Sequence, residues 1–180
     1  YKCKVCGLEY VNLMPTMKEL KSFYLNYTDF RASKLVLEKN ASRNIKALSQ
    51  YGLCKESHLL DFGCGKNIFV ETGDSPNWWG YDEYAPFHAR MINDYRSGNW
   101  DFITMWGVLE HLPAPKETVQ ELATHLNKGG KLALTTITTE SGIPFQYKPP
   151  EHLTYWRKRA IEKLFNLAGL KILEYRAYKM

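Results

Sequence analysis

The feature that most restricts this chain is the run His58-Leu59-Leu60-Asp61-Phe62 followed at once by Gly63-Cys64-Gly65. A short apolar run that ends in closely spaced glycines reads as a buried strand entering a sharp turn. Trp78 to Tyr81, Trp100 to Trp106 and Lys131 to Ile137 read as further strands. Helical signals alternate with them. Thr16 and Glu19 form a capping box ahead of Leu20, Phe23, Tyr24 and Tyr27. Leu37, Ala41, Ile45 and Leu48 repeat at helical spacing and should stop at Gly52. Pro115 opens a helix with Val119, Leu122, Ala123 and Leu126 on its apolar face, ending at Gly129 and Gly130. Ala160, Ile161, Leu164 and Ala168 mark a last helix capped by Gly169, and Leu170 to Tyr178 reads as a closing strand. Strands alternating with helices predict an α/β fold with a mostly parallel sheet and helices on both faces. The stretch between Tyr81 and Trp100 is too short for a crossover helix and is expected to be irregular.

The 180 residues suit one compact domain. Lys and Arg total 24 against 19 Asp and Glu, and the net +5 is spread along the chain, so no nucleic-acid partner is expected. No apolar stretch approaches the roughly 20 residues a bilayer span needs, so no membrane partner is expected and the cytoplasm is the expected location. Cys3 and Cys6, followed by Gly7, have the spacing of half a tetrahedral zinc site. Residues 1–15 are read as the remnant of a zinc knuckle, residues 16–180 as the single remaining domain. A structural zinc would require ligands from upstream sequence.

Ligands of open parallel sheets bind where a strand ends in such a glycine turn, because bare backbone admits close approach. Asp82 stands at the end of the next strand, where a carboxylate can accept both hydroxyls of a ribose. A dinucleotide fold would want a third small residue where Ile68 stands. An acidic residue just before the first glycine would repel a pyrophosphate, yet it suits a cofactor carrying an ammonium and a sulfonium. Asp61 is at that place.

Asp61-x-Gly63-x-Gly65, Asp82, and Trp100-Asp101-Phe102-Ile103 leading to Leu109-Glu110-His111-Leu112 together resemble the class I S-adenosylmethionine methyltransferases. Pro150-Glu151-His152-Leu153-Thr154-Tyr155-Trp156 and Ala168-Gly169-Leu170 are similar to one bacterial branch of that superfamily, and Cys3-x-x-Cys6-Gly7 to the zinc knuckle preceding some members. The resemblance implies a Rossmann-like methyltransferase sheet and S-adenosylmethionine as cofactor, with S-adenosylhomocysteine as product. It implies that Asp61, Gly63, Cys64 and Gly65 surround the methionine part, that Asp82 with Glu83 holds the ribose, and that Trp106 and Gly107 flank the cofactor. Asp94 falls near the adenine by the same analogy, and Asn67 stands where the family often has a third glycine.

Methyl transfer from a sulfonium needs an acceptor aligned behind the methyl carbon, so positioning supplies much of the catalysis. An oxygen or nitrogen acceptor can also need a base, and His111 and His152 are the candidates. Some relatives hold magnesium on Glu-x-x-Glu-His; Gly107 stands in the first acidic place here, so no metal is expected. The Asp/Asn-Pro-Pro-aromatic and Pro-Cys motifs of nucleobase methylation are missing, which leaves a small-molecule acceptor, with Tyr147, Tyr155 and Trp156 available to line its pocket. A methyltransferase-like binding domain without turnover is the alternative, and a dinucleotide oxidoreductase a third reading. Acceptor identity and oligomeric state are not legible.

Overall fold

The computed structural model describes residues 1–25, 33–141 and 147–177. In chain order these form β1 (Glu9–Tyr10), α1 (Met17–Leu25), α2 (Lys34–Ser49), β2 (Leu59–Phe62), α3 (Ile68–Gly73), β3 (Trp78–Tyr81), β4 (Trp100–Trp106), α4 (Pro115–Thr124), β5 (Leu126–Thr135), β6 (Thr154–Tyr155) and α5 (Lys158–Leu167). Tyr27, residues 142–146 of the loop after Thr138, and Tyr178 lie outside the described residues.

The main sheet has the order β3-β2-β4-β5. The β2 strand runs parallel to β3 on one side and to β4 on the other, with Asp61 opposite Gly80 and Thr104. Trp100 donates its N–H to His125 O and Gly107 donates to Thr135 O, so β5 ascends in the same direction as β4. All four residues of β2 are buried, as a central strand of a parallel sheet requires. The α/β class and the mostly parallel sheet read from the sequence are therefore present.

The chain divides into two compact units. One, the glycine-turn unit, comprises Thr16–Trp106 and His125–Ala133; the other, the histidine unit, comprises Tyr1–Pro15, Gly107–Thr124 and Leu134–Met180. In the glycine-turn unit, Ala41 and Leu48 of α2 and Phe69 and Val70 of α3 pack against Leu59, Trp78 and Phe102. Leu60 and Phe62 alternate to the opposite side of β2, and Phe62 stacks with Tyr81 and meets Tyr95 edge-on. The α1 helix starts on the expected capping box, in which Thr16 N–H donates to Glu19 Oε2 at 2.8 Å and Glu19 N–H donates to Thr16 Oγ1 at 3.3 Å. The α2 helix ends in a Schellman pair, Gly52 N–H to Ser49 O and Leu53 N–H to Leu48 O, with Gly52 at φ 94°.

The short stretch between β3 and β4 has no α-helix. It lays Met91 beside Gly80 in a parallel bridge, with Gly80 N–H donating to Arg90 O and Ile92 N–H donating to Gly80 O, and then makes a single 3-10 turn at Tyr95–Ser97.

In the histidine unit, β1 and β6 form a small antiparallel pair, Glu9 opposite Tyr155 and Tyr10 opposite Thr154. The α4 and α5 helices lie against each other, and Gln120 Nε2 donates to Leu167 O at 2.9 Å. Gly169 closes α5 with the same Schellman pair, Gly169 N–H to Asn166 O and Leu170 N–H to Phe165 O.

Two expected elements differ. The helix opened by Pro115 ends at Thr124, and the next strand begins at Leu126. His125 O has already accepted the Trp100 N–H, so the chain joins β4 there. The Gly129-Gly130 pair therefore lies inside the strand, with Gly129 at φ 81°, instead of capping the helix. A Cβ on Gly130 would lie 2.9 Å from Asn127 O and 3.0 Å from Trp100 O, which only glycine avoids. The closing strand does not form over residues 170–177. Apolar and charged residues alternate there, but no strand of the described residues pairs with them, and Leu173 is 64% exposed. Alternation without a ladder partner leaves the backbone amides to water.

Gly73 closes α3 against Trp78, where an added Cβ would come within 1.9 Å of the indole ring. The ring is held by Phe69 at a centroid distance of 5.8 Å and cannot retreat freely. Gly73→Ala is expected to cost about 1–3 kcal/mol through overpacking, read as a lower urea midpoint with an unchanged slope.

Candidate functional site

The glycine turn follows β2 directly and is locked to the end of β3. Gly63 and Cys64 both donate their N–H groups to Tyr81 O, at 2.7 and 3.1 Å. Gly65 N–H donates to Asp82 Oδ2 at 2.9 Å, and Asn67 N–H donates to Cys64 O. Four amides that a phosphate-binding loop would present to an anion are thus satisfied within the turn itself. What the turn offers a ligand is room: a Cβ on Gly65 would meet no atom within 4 Å.

Asn67 adopts a left-handed backbone, φ 57°, as Asn tolerates best among residues with a side chain. Its side chain is buried, with Nδ2 donating to Ala89 O at 2.8 Å. Oδ1 has no hydrogen-bond partner and sits 2.2 Å from where a Cβ on Gly80 would be. Gly80 is therefore required where β3 passes over the turn.

The acidic residues face inward on this frame. Asp61 is 2% exposed and accepts a hydrogen bond from Thr104 Oγ1 at 2.7 Å. Burial pushes its carboxyl up to about 7, against the pull of the Thr104 hydroxyl, and the Asp82 charge adds to the rise. Asp82 is half-buried. Its Oδ1 accepts the N–H groups of Tyr84 and Ala85, at 2.9 and 2.8 Å, while Oδ2 holds Gly65. Burial and then these two carboxylates raise the Cys64 thiol well above its ordinary range, so it stays neutral and is no nucleophile.

The structure brings Asp61, Gly63, Cys64, Gly65 and Asp82 together. Glu83, exposed, accepts the Tyr81 hydroxyl at 2.7 Å. Trp106 leans on Phe69, ring centroids 5.1 Å apart, and its Nε1 is buried with no hydrogen-bond partner among the described residues. Asp94 accepts the Arg96 N–H and caps the 3-10 turn, which gives it a structural task. Thr104 belongs to no motif; a polar residue in the apolar run of β4, in register with Asp61, is the signal that marks it.

The remaining expected residues lie in the histidine unit. Gly107 has φ 67° and donates its N–H to Thr135, at 3.1 Å to both O and Oγ1. His111 and His152 meet at a ring-centroid distance of 4.9 Å. His111 Nδ1 is 2.7 Å from Glu151 O, and His152 Nε2 is 3.5 Å from Glu151 Oε1. Buried Glu110 joins them, its Oε2 accepting from Thr136 Oγ1 at 2.8 Å. Leu153 N–H donates to Glu110 O and Thr154 Oγ1 to Leu109 O, which ties the 3-10 turn Leu109–His111 to the segment carrying His152. Tyr155 and Trp156 are buried here, and Tyr147 stacks on Tyr155 while donating its hydroxyl to Glu9. At the start of this unit, amides of Cys6 and Val5 lower the Cys3 thiol, as a thiolate-binding turn does.

An α/β sheet whose glycine turn is bracketed by two carboxylates defines a class, and the methyltransferase domain family matches residues 34–175. The chain belongs to that family. Among solved structures it is similar to magnesium protoporphyrin IX methyltransferase from Synechocystis with bound S-adenosylhomocysteine, at 13% identity and TM-score 0.61, covering 86% of this chain and 89% of that one. It is also similar to an S-adenosylmethionine-dependent methyltransferase from Clostridium acetobutylicum, at 13% identity and TM-score 0.56, covering 74% and 80%. At these identities the likeness is one of fold, a Rossmann-like α/β sheet. Among curated proteins none matches the chain. No helix of the described residues is long and apolar enough to cross a membrane.

The raised Asp61 carboxyl gives the ligand-free protein a distinct pH dependence. Its folded value lies above its unfolded one, so its contribution to stability is full below about pH 4 and is lost as pH rises through about 7. Asp61→Asn keeps an oxygen for Thr104 and has no such titration. Urea midpoints of the wild type, relative to this variant, are expected to fall between about pH 4 and about pH 7; parallel profiles would show that Asp61 ionises normally.

Proposed function

We propose that this chain is an S-adenosylmethionine-dependent methyltransferase that passes the methyl group to an oxygen or nitrogen of a small-molecule acceptor. The observation that carries this reading is the glycine turn, whose amides at Gly63, Cys64, Gly65 and Asn67 are satisfied, which is open at Gly65, and which the carboxyl groups of Asp61 and Asp82 adjoin. Such a turn has few donors for a pyrophosphate and two acids that repel one, which counts against a dinucleotide. A cofactor with an ammonium and a sulfonium meets the opposite balance, since each positive charge is stabilised by a nearby carboxylate.

In this reading Asp61, Gly63, Cys64 and Gly65 surround the methionine part. Asp82 accepts a ribose hydroxyl with the one acceptor site left beyond its three backbone bonds, a carboxylate having about four such sites. Glu83, Trp106 and Gly107 complete the cofactor set. His111 and His152 are the groups available to take a proton from the acceptor. Solved methyltransferases of similar fold include magnesium protoporphyrin IX methyltransferase and a methyltransferase in calicheamicin biosynthesis. Small-molecule chemistry is therefore at home on this sheet.

Binding of the cationic cofactor favours ionised Asp61, so its affinity is expected to rise from about pH 6 to about pH 8 in the wild type and to stay flat in Asp61→Asn. Asp82→Asn is expected to weaken binding by about 1–3 kcal/mol. Calorimetric titration with S-adenosylmethionine measures both. Affinity unchanged in the two variants would place the cofactor elsewhere, and tight binding without turnover across a broad acceptor screen would make this a binding domain.

A further inference from the structure

We propose that Glu110, His111 and His152 form a binding site for one borderline divalent cation of the zinc type. One ligand atom from each of the three residues lies within 4.8 Å of the others. Ligand atoms around an ion bound at about 2.0–2.2 Å are themselves roughly 3 to 4 Å apart, so side-chain rotations of about an ångström close the shell. Glu110 and His152 are both buried, and His111 is half-buried. A carboxylate and two imidazoles held away from water gain most from a cation among them.

The surroundings have the form that orients metal ligands. His111 Nδ1 lies 2.7 Å from Glu151 O, a bond that sets the tautomer and leaves Nε2 as the lone-pair atom. Glu110 accepts from Thr136 Oγ1 at 2.8 Å, which steadies the carboxylate. The Glu151 carboxylate, 3.5 Å from His152 Nε2, can hold that ring and raise its basicity. The backbone is pinned on both sides by Leu153 N–H to Glu110 O and Thr154 Oγ1 to Leu109 O, so the two ligand-bearing segments cannot drift apart.

The donor set selects the ion. Magnesium prefers oxygen ligands in a regular octahedron, whereas two imidazoles and one carboxylate suit zinc and its neighbours. Three protein ligands leave a fourth position open to water or another oxygen ligand. With the ion in place the two imidazoles are ligands and no longer bases.

The test uses untagged protein carrying Cys3→Ser and Cys6→Ser, which removes the only paired thiols, stripped with chelator and titrated with zinc by calorimetry. The expected result is one zinc per chain and a raised thermal midpoint, and cobalt(II) loading that gives a ligand-field spectrum without thiolate charge-transfer bands. Glu110→Gln and His152→Gln are each expected to lower zinc affinity at least about ten-fold, and Thr136→Val, which leaves all three ligands in place, by about 10- to 100-fold. Absence of stoichiometric uptake by the serine-substituted protein would overturn the proposal, as would undiminished affinity in folded variants. Because Glu110 and His152 are buried, the parent protein and Thr136→Val decide the matter if those two variants fail to fold. Titration of the same protein with S-adenosylmethionine reports on the cofactor separately, so either reading can fail alone.

Discussion

The glycine-turn unit is organised around a carboxylate placed where a parallel sheet least tolerates one. Asp61 sits in the middle of β2, flanked by strands on both sides, and the hydroxyl of Thr104 on β4 is its hydrogen-bond partner in the sheet. Burial of an acid in such a place is costly unless it is neutral or faces a cation. Its carboxyl at about 7 shows the balance left undecided in the ligand-free protein. The rest of the turn is built to keep that carboxylate in position. Tyr81 O takes two amides, Asp82 takes a third, and Asn67 reaches under Gly80 to hold Ala89. None of these bonds contributes to binding directly; together they fix where the charge is.

Much of this frame could be read from residue order. The β2, β3 and β4 strands fall within a residue of where their apolar runs place them, because a central parallel strand must be apolar on both faces. Capping chemistry at Thr16 and Gly52 acts within a few residues and reads equally well. What failed were signals whose meaning depends on a distant partner. Gly129 and Gly130 look like a helix stop until Trp100 is seen against His125 and Gly130. The alternation from Leu170 onward looks like a strand, yet a strand exists only with a neighbour to pair with.

The candidate site divides the same way. Asp61, Gly63, Gly65 and Asp82 announce themselves by their place at strand ends. Thr104 shows in the sequence only as a polar residue within an apolar run, since its importance comes from register with Asp61 across a parallel ladder. Glu110 and His111 are adjacent and easily noticed, but His152 joins them only because the backbone ties at Leu153 and Thr154 fold its segment back. Spacing along the chain therefore shows two members of that cluster and not the third.

A glycine turn after the first strand is shared by folds that bind very different cofactors, so the glycines alone decide little. The decisive quantity is how many amides remain unspent. A loop that points its N–H groups outward presents partial positive charge and draws a phosphate. Here β3 and Asp82 consume those donors, and the ionisable groups that adjoin the turn are the carboxyls of Asp61 and Asp82. The polarity of the turn is thus set by hydrogen bonds made inside the protein, before any ligand is considered. Gly80 makes this possible by letting β3 pass close enough to the turn for Tyr81 O to reach it; a side chain there would collide with Asn67 and Cys64. The shortage of free donors on this turn is in that sense a property of strand packing as much as of its acidic residues.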